Sequence, residues 1–313
     1  MRAQRVIAGL IFLGLVIVLQ TATAAQLPGK WRTRAAMPSA RTEVAAVELG
    51  GKVFVIGGYD KNGDLVEEYD PAKDHWRRRA PLPKPLHHTG AAAVDGKIYV
   101  IGGYISGAGP VSTVYEYDPA KDRWTTRKPL PTPRGALAVG ALAGKIFATG
   151  GVGANGRNTG ANEAYDPGRD RWEKLAPMIT PRDHHAIGVV SGRLHAVAGR
   201  INGNHDRSIG DHEEYDPVTN RWKSRAPLPT VRSGVAAAVL DGRIFVFGGE
   251  SARRTHSEVE SFDPVNDQWQ RWAPMPTARH GLGAAVVGPS IYVISGGPQP
   301  GATFSSVNEV FTP

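Results

Sequence analysis

After residue 25 the apolar residues of this chain fall in short runs, each bounded by turn-forming residues. Gly90-Ala91-Ala92-Ala93-Val94 is followed by the turn Asp95-Gly96-Lys97, and Ile98-Tyr99-Val100-Ile101 then leads into Gly102-Gly103. Tyr115-Glu116-Tyr117-Asp118-Pro119 alternates, and a fourth segment opens at Trp124 and runs to the Pro-Leu-Pro stretch at 129–131. Short alternating runs joined by Asp-Gly and Gly-Lys turns predict four strands in hairpin connection, and nothing after residue 25 carries a convincing helical period. Pro129 and Pro131 suit an exposed edge strand, where a residue need not donate to a ladder.

The pattern recurs. Trp31, Trp76, Trp124, Trp172, Trp222 and Trp269 stand at steps of 45, 48, 48, 50 and 47 residues. Ten residues after each comes an arginine in five copies (Arg41, Arg134, Arg182, Arg232, Arg279) and Leu86 in the remaining one. Sixteen further on is a small pair: Gly57-Gly58, Gly102-Gly103, Gly150-Gly151, Ala198-Gly199, Gly248-Gly249 or Ser295-Gly296. Tyr69, Tyr117, Tyr165, Tyr215 and Phe262 each precede a tryptophan by seven. Only the stretch from small pair to aromatic varies, between 12 and 17 residues, so the length variation lies in the loop joining the second and third strands. Such a period means one supersecondary unit copied around or along an axis. Variable loops on a fixed scaffold are where function concentrates.

A double glycine, an aromatic preceding Asp-Pro and a spaced tryptophan resemble the kelch repeat, over roughly residues 31 to 311. The resemblance implies an all-β fold, a six-bladed kelch β-propeller. Ala198, Ser295 and Leu86 depart from the pattern, and the last unit lacks its own tryptophan strand. The chain instead begins, after its leader, with an orphan fourth strand from Trp31 to Pro38 and ends after a third strand at Phe311. The two ends are therefore expected to complete one blade and close the ring, leaving only short protected edges.

Residues 1–25 read as a signal peptide: Arg2 and Arg5, an apolar run from Val6 to Leu19, then Ala22-Thr23-Ala24-Ala25 as the cleavage site. The run is short for a membrane span. A periplasmic or secreted protein without membrane insertion after cleavage is expected, with residues 26–313 as one propeller of a size that buries a stable core. The 38 glycines and 24 prolines fall at fixed offsets and so mark turns, not disorder. The absence of cysteine excludes disulfides, thiolate chemistry and a lipoprotein anchor. Beyond the leader, 35 basic residues stand against 29 acidic ones, a mild excess favouring anionic partners, while export argues against nucleic acid.

In an up-and-down blade the loop from strand two to three and the loop into the next blade share one face. That face gathers the five arginines, with His87 and His88 following Leu86. His184, His185, His205, His212, His256 and His280 map there too, with Glu43, Asp183, Asp206, Asp211 and Glu250 as its carboxylates. Candidate ligand-binding residues are Arg41, His87, His88, Arg134, Arg182, His184, Arg232, Glu250, Arg279 and His280. A ring of guanidinium groups suits a carboxylate or sulfate through charge-assisted bidentate bonds. Repetition, however, also marks scaffold, and the same arginines can brace neighbouring blades. The strand-three glutamates Glu67, Glu163, Glu213, Glu260 and Glu309 share one offset and are assigned to packing. No histidine spacing matches a known metal motif, and no metal or other cofactor is expected.

Two functions follow. The first is an exported, monomeric binding module for an acidic glycan, a peptide or another envelope protein. The second rests on similarity in architecture to bacterial N-acetylneuraminate mutarotases, and needs an acid–base pair and a grip on the sugar. Glu43, Asp183 or Glu250 is then the base, with Arg41, Arg182 or Arg279 holding the sugar carboxylate. The discriminating feature is a carboxylate at the channel mouth that no arginine braces. A galactose-oxidase type of copper site is excluded, because it requires a cysteine, and no nucleophile motif or phosphate loop is present.

Overall fold

The structure, a computed structural model, describes residues 27–59 and 63–313, so the expected signal peptide lies outside the described residues. Each repeat forms a four-stranded antiparallel sheet, and six such blades surround a central channel. Blade 1 runs outward from the channel as Ala45–Leu49, Lys52–Ile56, Val66–Asp70 and His75–Arg78. Blade 6 takes Gly283–Val287, Ser290–Ile294 and Asn308–Thr312 from the C-terminal end and Lys30–Thr33 from the N-terminal end. Trp31 pairs with Phe311 and Thr33 with Glu309, so the expected closure by an outer N-terminal strand is what the fold shows.

The innermost strands are rich in glycine and alanine because six of them crowd one axis. A Cβ on Gly283 would lie 2.4 Å from the Ala46 Cβ. Between blades, larger side chains fill the core: Phe54, Ile56, Ile98, Val100 and Tyr117 pack in one such layer.

Each conserved-spacing residue has a visible duty in joining blades. Every repeat tryptophan donates its indole N–H to a carbonyl of the preceding blade, from Trp76 to Ala35 (2.8 Å) round to Trp31, which reaches Ala273 (2.9 Å). The second residue of each small pair donates its amide to the next blade's arginine-position carbonyl, as Gly58 does to Leu86 and Gly296 to Arg41. The first residue is small throughout: a Cβ on Gly57 would sit 2.4 Å from that carbonyl oxygen, and where Ala198 and Ser295 carry one they hold the same left-handed backbone at φ 65° and 64°.

One expectation changes in detail. The fourth strand of blade 2 ends at Thr126, before the Pro-Leu-Pro stretch. That stretch instead plugs the core between blades 2 and 3: Leu130 is buried there, and its amide donates to Ser112 O (2.9 Å). Leu82, Met178, Leu228 and Met275 repeat the plug.

Candidate functional site at the channel mouth

Three positions of the repeat meet at one end of the channel. The residue after the arginine position (Thr42, His87, Gly135, Asp183, Ser233, His280) pairs with the residue after the small pair (Tyr59, Tyr104, Val152, Arg200, Glu250, Gly297). Between them stand Glu43, His88, Ala136, His184, Gly234 and Gly281. The amide of each of these six donates to the carbonyl of its neighbour in the preceding blade, at 2.7 to 3.1 Å, so that a hydrogen-bonded ring closes around the axis. All six take a left-handed backbone, with φ between 52° and 64°. Glycine adopts this freely, but Glu43, His88 and His184 hold it at a cost, and such positions cluster at functional sites.

The arginine ring lies beneath this mouth and faces away from it. Arg41, Arg134, Arg182, Arg232 and Arg279 have no exposed surface. Each pairs with the strand-three glutamate of its own blade: Arg41–Glu67 at 2.7 Å, Arg182–Glu213 at 3.2 Å, Arg232–Glu260 at 2.6 Å, Arg279–Glu309 at 2.7 Å, and Arg134 with Glu163. Further guanidinium N–H groups reach backbone carbonyls, as Arg41 Nη1 reaches Gly57 O (2.5 Å) and Arg279 Nη1 reaches Ser295 O (2.6 Å). The expectation that these five guanidinium groups bind a ligand is therefore corrected: they brace their own blades. Blade 2 shows the same logic in reverse. Where Leu86 replaces arginine, Tyr115 stands at the glutamate position, and both join one apolar cluster.

The mouth itself is built around Glu43. Its Oε2 is 3.4 Å from His88 Nε2 and its Oε1 is 3.8 Å from His280 Nε2. His280 Nδ1 donates to the Gly297 carbonyl (3.1 Å), which turns Nε2 towards Glu43 and also towards Glu250 (3.6 Å). His88 Nδ1 lies 2.6 Å from His87 Nδ1. Burial pushes the Glu43 carboxyl up, but the surrounding charges of His88, His184, His280 and Arg200 outweigh it and hold the group at about 2. Burial drives His88 down to about 3; Glu43 opposes this, and His184, His87 and Arg200 add to it. At neutral pH a carboxylate thus faces an uncharged imidazole.

Asp183 and Glu250 are differently placed. Arg200 lies between them, with Nε 3.2 Å from Asp183 Oδ1 and Nη1 2.8 Å from Glu250 Oε1. Glu250 also accepts from His205 Nε2 (3.0 Å) and from the Gly301 amide (3.1 Å). Asp183 holds His184 Nδ1 at 2.5 Å and accepts from Asn158 Nδ2 (2.6 Å) and the Gly203 amide (2.9 Å). Burial raises the Asp183 carboxyl, and these hydrogen bonds, that from His184 first, bring it well below the carboxylate range. Among the described residues, Glu43 is the one of the three candidate bases that has no arginine within 4.0 Å.

Glu43, His88 and His184 bring their ligand atoms within 4.8 Å of one another, the one grouping among the described residues that fits a metal ion. The third ligand is already committed. Arg200 Nη2 lies 2.8 Å from His184 Nε2, and a guanidinium can only donate, so it occupies the lone pair a cation needs. His212, expected on this face, is instead buried inside its blade against Phe262 and His195.

Glu43, His88, Arg200, His205, Glu250, His280 and Tyr59 line an open recess of about 250 Å³. Its charged groups are two carboxylates, Glu43 and Glu250, against the one guanidinium of Arg200, so the mouth is not the basic surface that the count of arginines implies. Its rim is aromatic: Tyr59 packs edge-on against His87 (4.9 Å between centroids), and Tyr104 stacks on the same imidazole (5.5 Å).

The chain belongs to the kelch-repeat family. Residues 15–199 match the KLHDC2/KLHL20/DRC7 Kelch-repeats domain, and residues 181–229 and 232–276 each match a Kelch motif. No curated protein matches it significantly in sequence. A solved structure entitled "Structure of YjhT" superposes with a TM-score of 0.79 at 16% identity, over 89% of this chain and 96% of that one, which shows the shared propeller fold.

Sequence reasoning placed His87, His88, His184, Glu250 and His280 correctly at the mouth but missed Arg200, Tyr59 and Tyr104. A signal was present. These three occupy the position after the small pair, where the six copies differ in chemistry inside an otherwise fixed frame.

Proposed function

We propose that the channel mouth binds a reducing sugar and interconverts its anomers, with Glu43 as the proton-accepting group. One observation carries this reading: Glu43 is the mouth carboxylate free of an arginine, and it lies between the imidazoles of His88 and His280. Mutarotation asks little more. The carboxylate takes the proton of the anomeric hydroxyl, that oxygen's electrons form the carbonyl as the bond from C1 to the ring oxygen breaks, and the Glu43 carboxyl so formed passes that proton to the ring oxygen. Rotation about C1–C2 and reclosure give the other anomer. A carboxyl held near 2 is a weak base but, once protonated, a ready acid. Hemiacetal opening proceeds unaided in water, so a weak but positioned base suffices, and such catalysis contributes about 10²–10⁴-fold.

The recess's carboxylate excess supports a neutral sugar over an acidic one, because an anionic ligand would meet two like charges, Glu43 and Glu250, against the single guanidinium of Arg200. The leader at residues 1–25 supports placing the activity outside the cytoplasm. Exchange NMR on glucose, galactose, mannose and N-acetylneuraminate tests the reading. Faster interconversion of a neutral sugar supports it. Binding without acceleration reduces the protein to a sugar-binding module, and neither binding nor acceleration defeats the site assignment.

A further inference from the structure

Among the described residues few large apolar side chains are exposed, and two of them are aromatic: Tyr59 and Phe304, at 39% and 40% exposure. They come from the variable loops of blades 1 and 6, more than 240 residues apart in sequence. Their rings nevertheless lie nearly parallel, 16° between planes and 6.4 Å between centroids. Scattered exposed apolar residues need no explanation, but two aligned aromatics at the rim of a polar recess do.

Their backbones are held, too. The Tyr59 amide donates to Thr42 O (2.7 Å), and Ser305, next to Phe304, accepts from the Arg41 amide (3.1 Å). The next residue is Glu43, whose own amide donates to Gly281 O (2.7 Å). The three-residue segment 41–43 thus ties both aromatics to the carboxylate, and segment 41 is anchored in turn by the buried Arg41–Glu67 pair. Tyr59 also abuts His87, so the aromatic surface is continuous with the recess.

We propose that Tyr59 and Phe304 form a second sugar subsite, and that the ligand is a neutral reducing oligosaccharide: its terminal hemiacetal ring sits at Glu43 and the adjoining ring lies on the aromatic pair. A pyranose presents an apolar face of C–H groups that covers an aromatic ring while its hydroxyls stay in water, which is the chemistry two parallel, half-exposed rings offer. Rigid aromatics lose little rotamer freedom on binding, and pre-positioned ones lose less. The inference rests on the sugar reading of the recess and names its ligand class.

Calorimetric titration with glucose, galactose, maltose, cellobiose and lactose tests it, with exchange NMR run on the same samples. At least one disaccharide is expected to bind about tenfold tighter than its own monosaccharide. Phe304→Ala, which leaves the recess lining intact, should remove most of that advantage and keep monosaccharide affinity within about twofold. Its side chain is half exposed, so the variant is expected to fold, and circular dichroism confirms it. Equal affinities for one and two rings, or a Phe304→Ala variant that keeps the advantage, overturn the subsite while anomer exchange can still stand. Chain-length-dependent binding with no anomer exchange overturns the catalytic reading alone. No binding across the panel overturns both.

Discussion

Glu43 and His88 face each other across the channel mouth at 3.4 Å, each held by a backbone amide in a ring that runs through all six blades. Neither belongs to the residues that repeat. The fixed elements of the kelch unit build the ring, and the two residues beyond each arginine position, left free by that scaffold, carry the chemistry.

The arginines should therefore matter for stability and not for ligand affinity. Arg232→Ala leaves Glu260 buried without its partner and is expected to cost about 3–5 kcal/mol. Arg232→Leu combined with Glu260→Tyr copies the Leu86 and Tyr115 solution of blade 2 and should recover most of that loss. Urea unfolding of the two variants measures this; equal destabilisation would contradict the bracing role.

Acid should weaken the fold well above the carboxylate range. Burial holds His88, His185 and His212 at about 3 and His195 at about 4, against an ordinary value of 6.5. The unfolded chain takes up these protons first, so stability falls as pH drops below about 6.5, by up to about 1.4 kcal/mol per pH unit for each histidine. The lowered Glu43 and Asp183 carboxyls add loss in the same direction at lower pH. Melting temperatures from pH 7.5 to 4.5 should decline steadily; a flat profile down to pH 5 would contradict the buried, uncharged histidines.

Gly281 is placed to tune the carboxylate. An added Cβ there would lie 2.5 Å from Glu43 Oε1. Gly281→Ala should cost only about 1–2 kcal/mol of stability, since Ala136 already occupies the same left-handed ring position. It should nevertheless lose most of the anomer exchange, read by NMR beside a thermal melt. Unchanged exchange would mean that Glu43 does not act from its observed position.

Ring closure is testable by truncation. Removing residues 27–38 takes away the outer strand of blade 6 and the Trp31 bond to Ala273. The truncated chain should lose cooperative melting, and a melt like that of the full chain would contradict closure by this strand.

Nearly all of the fold was legible in the sequence, because propeller geometry is periodic and its constraints recur: Trp31 to Trp269, the small pairs, and even the closing strand follow from spacing alone. The arginines were legible in position but not in role. Spacing places Arg41 near the channel, yet only the fold shows its side chain turned inward to Glu67. The clue that blade 2 loses arginine and glutamate together was available, since Leu86 and Tyr115 stand at matching offsets. Arg200 and Phe304 were not legible in the same way. Arg200 acts by bridging Asp183 and Glu250 across two blades, and Phe304 lies in a variable loop where no register locates it.

The central claim is that Glu43 exchanges the proton of a bound sugar. Glu43→Gln keeps the shape and removes the charge, so its comparison with the native protein by exchange NMR and calorimetry on one neutral sugar is the most direct test. The account predicts sugar affinity within about threefold of the native value and a loss of about 10²-fold or more in the enzyme-catalysed exchange rate. Exchange at the native rate in Glu43→Gln would contradict it.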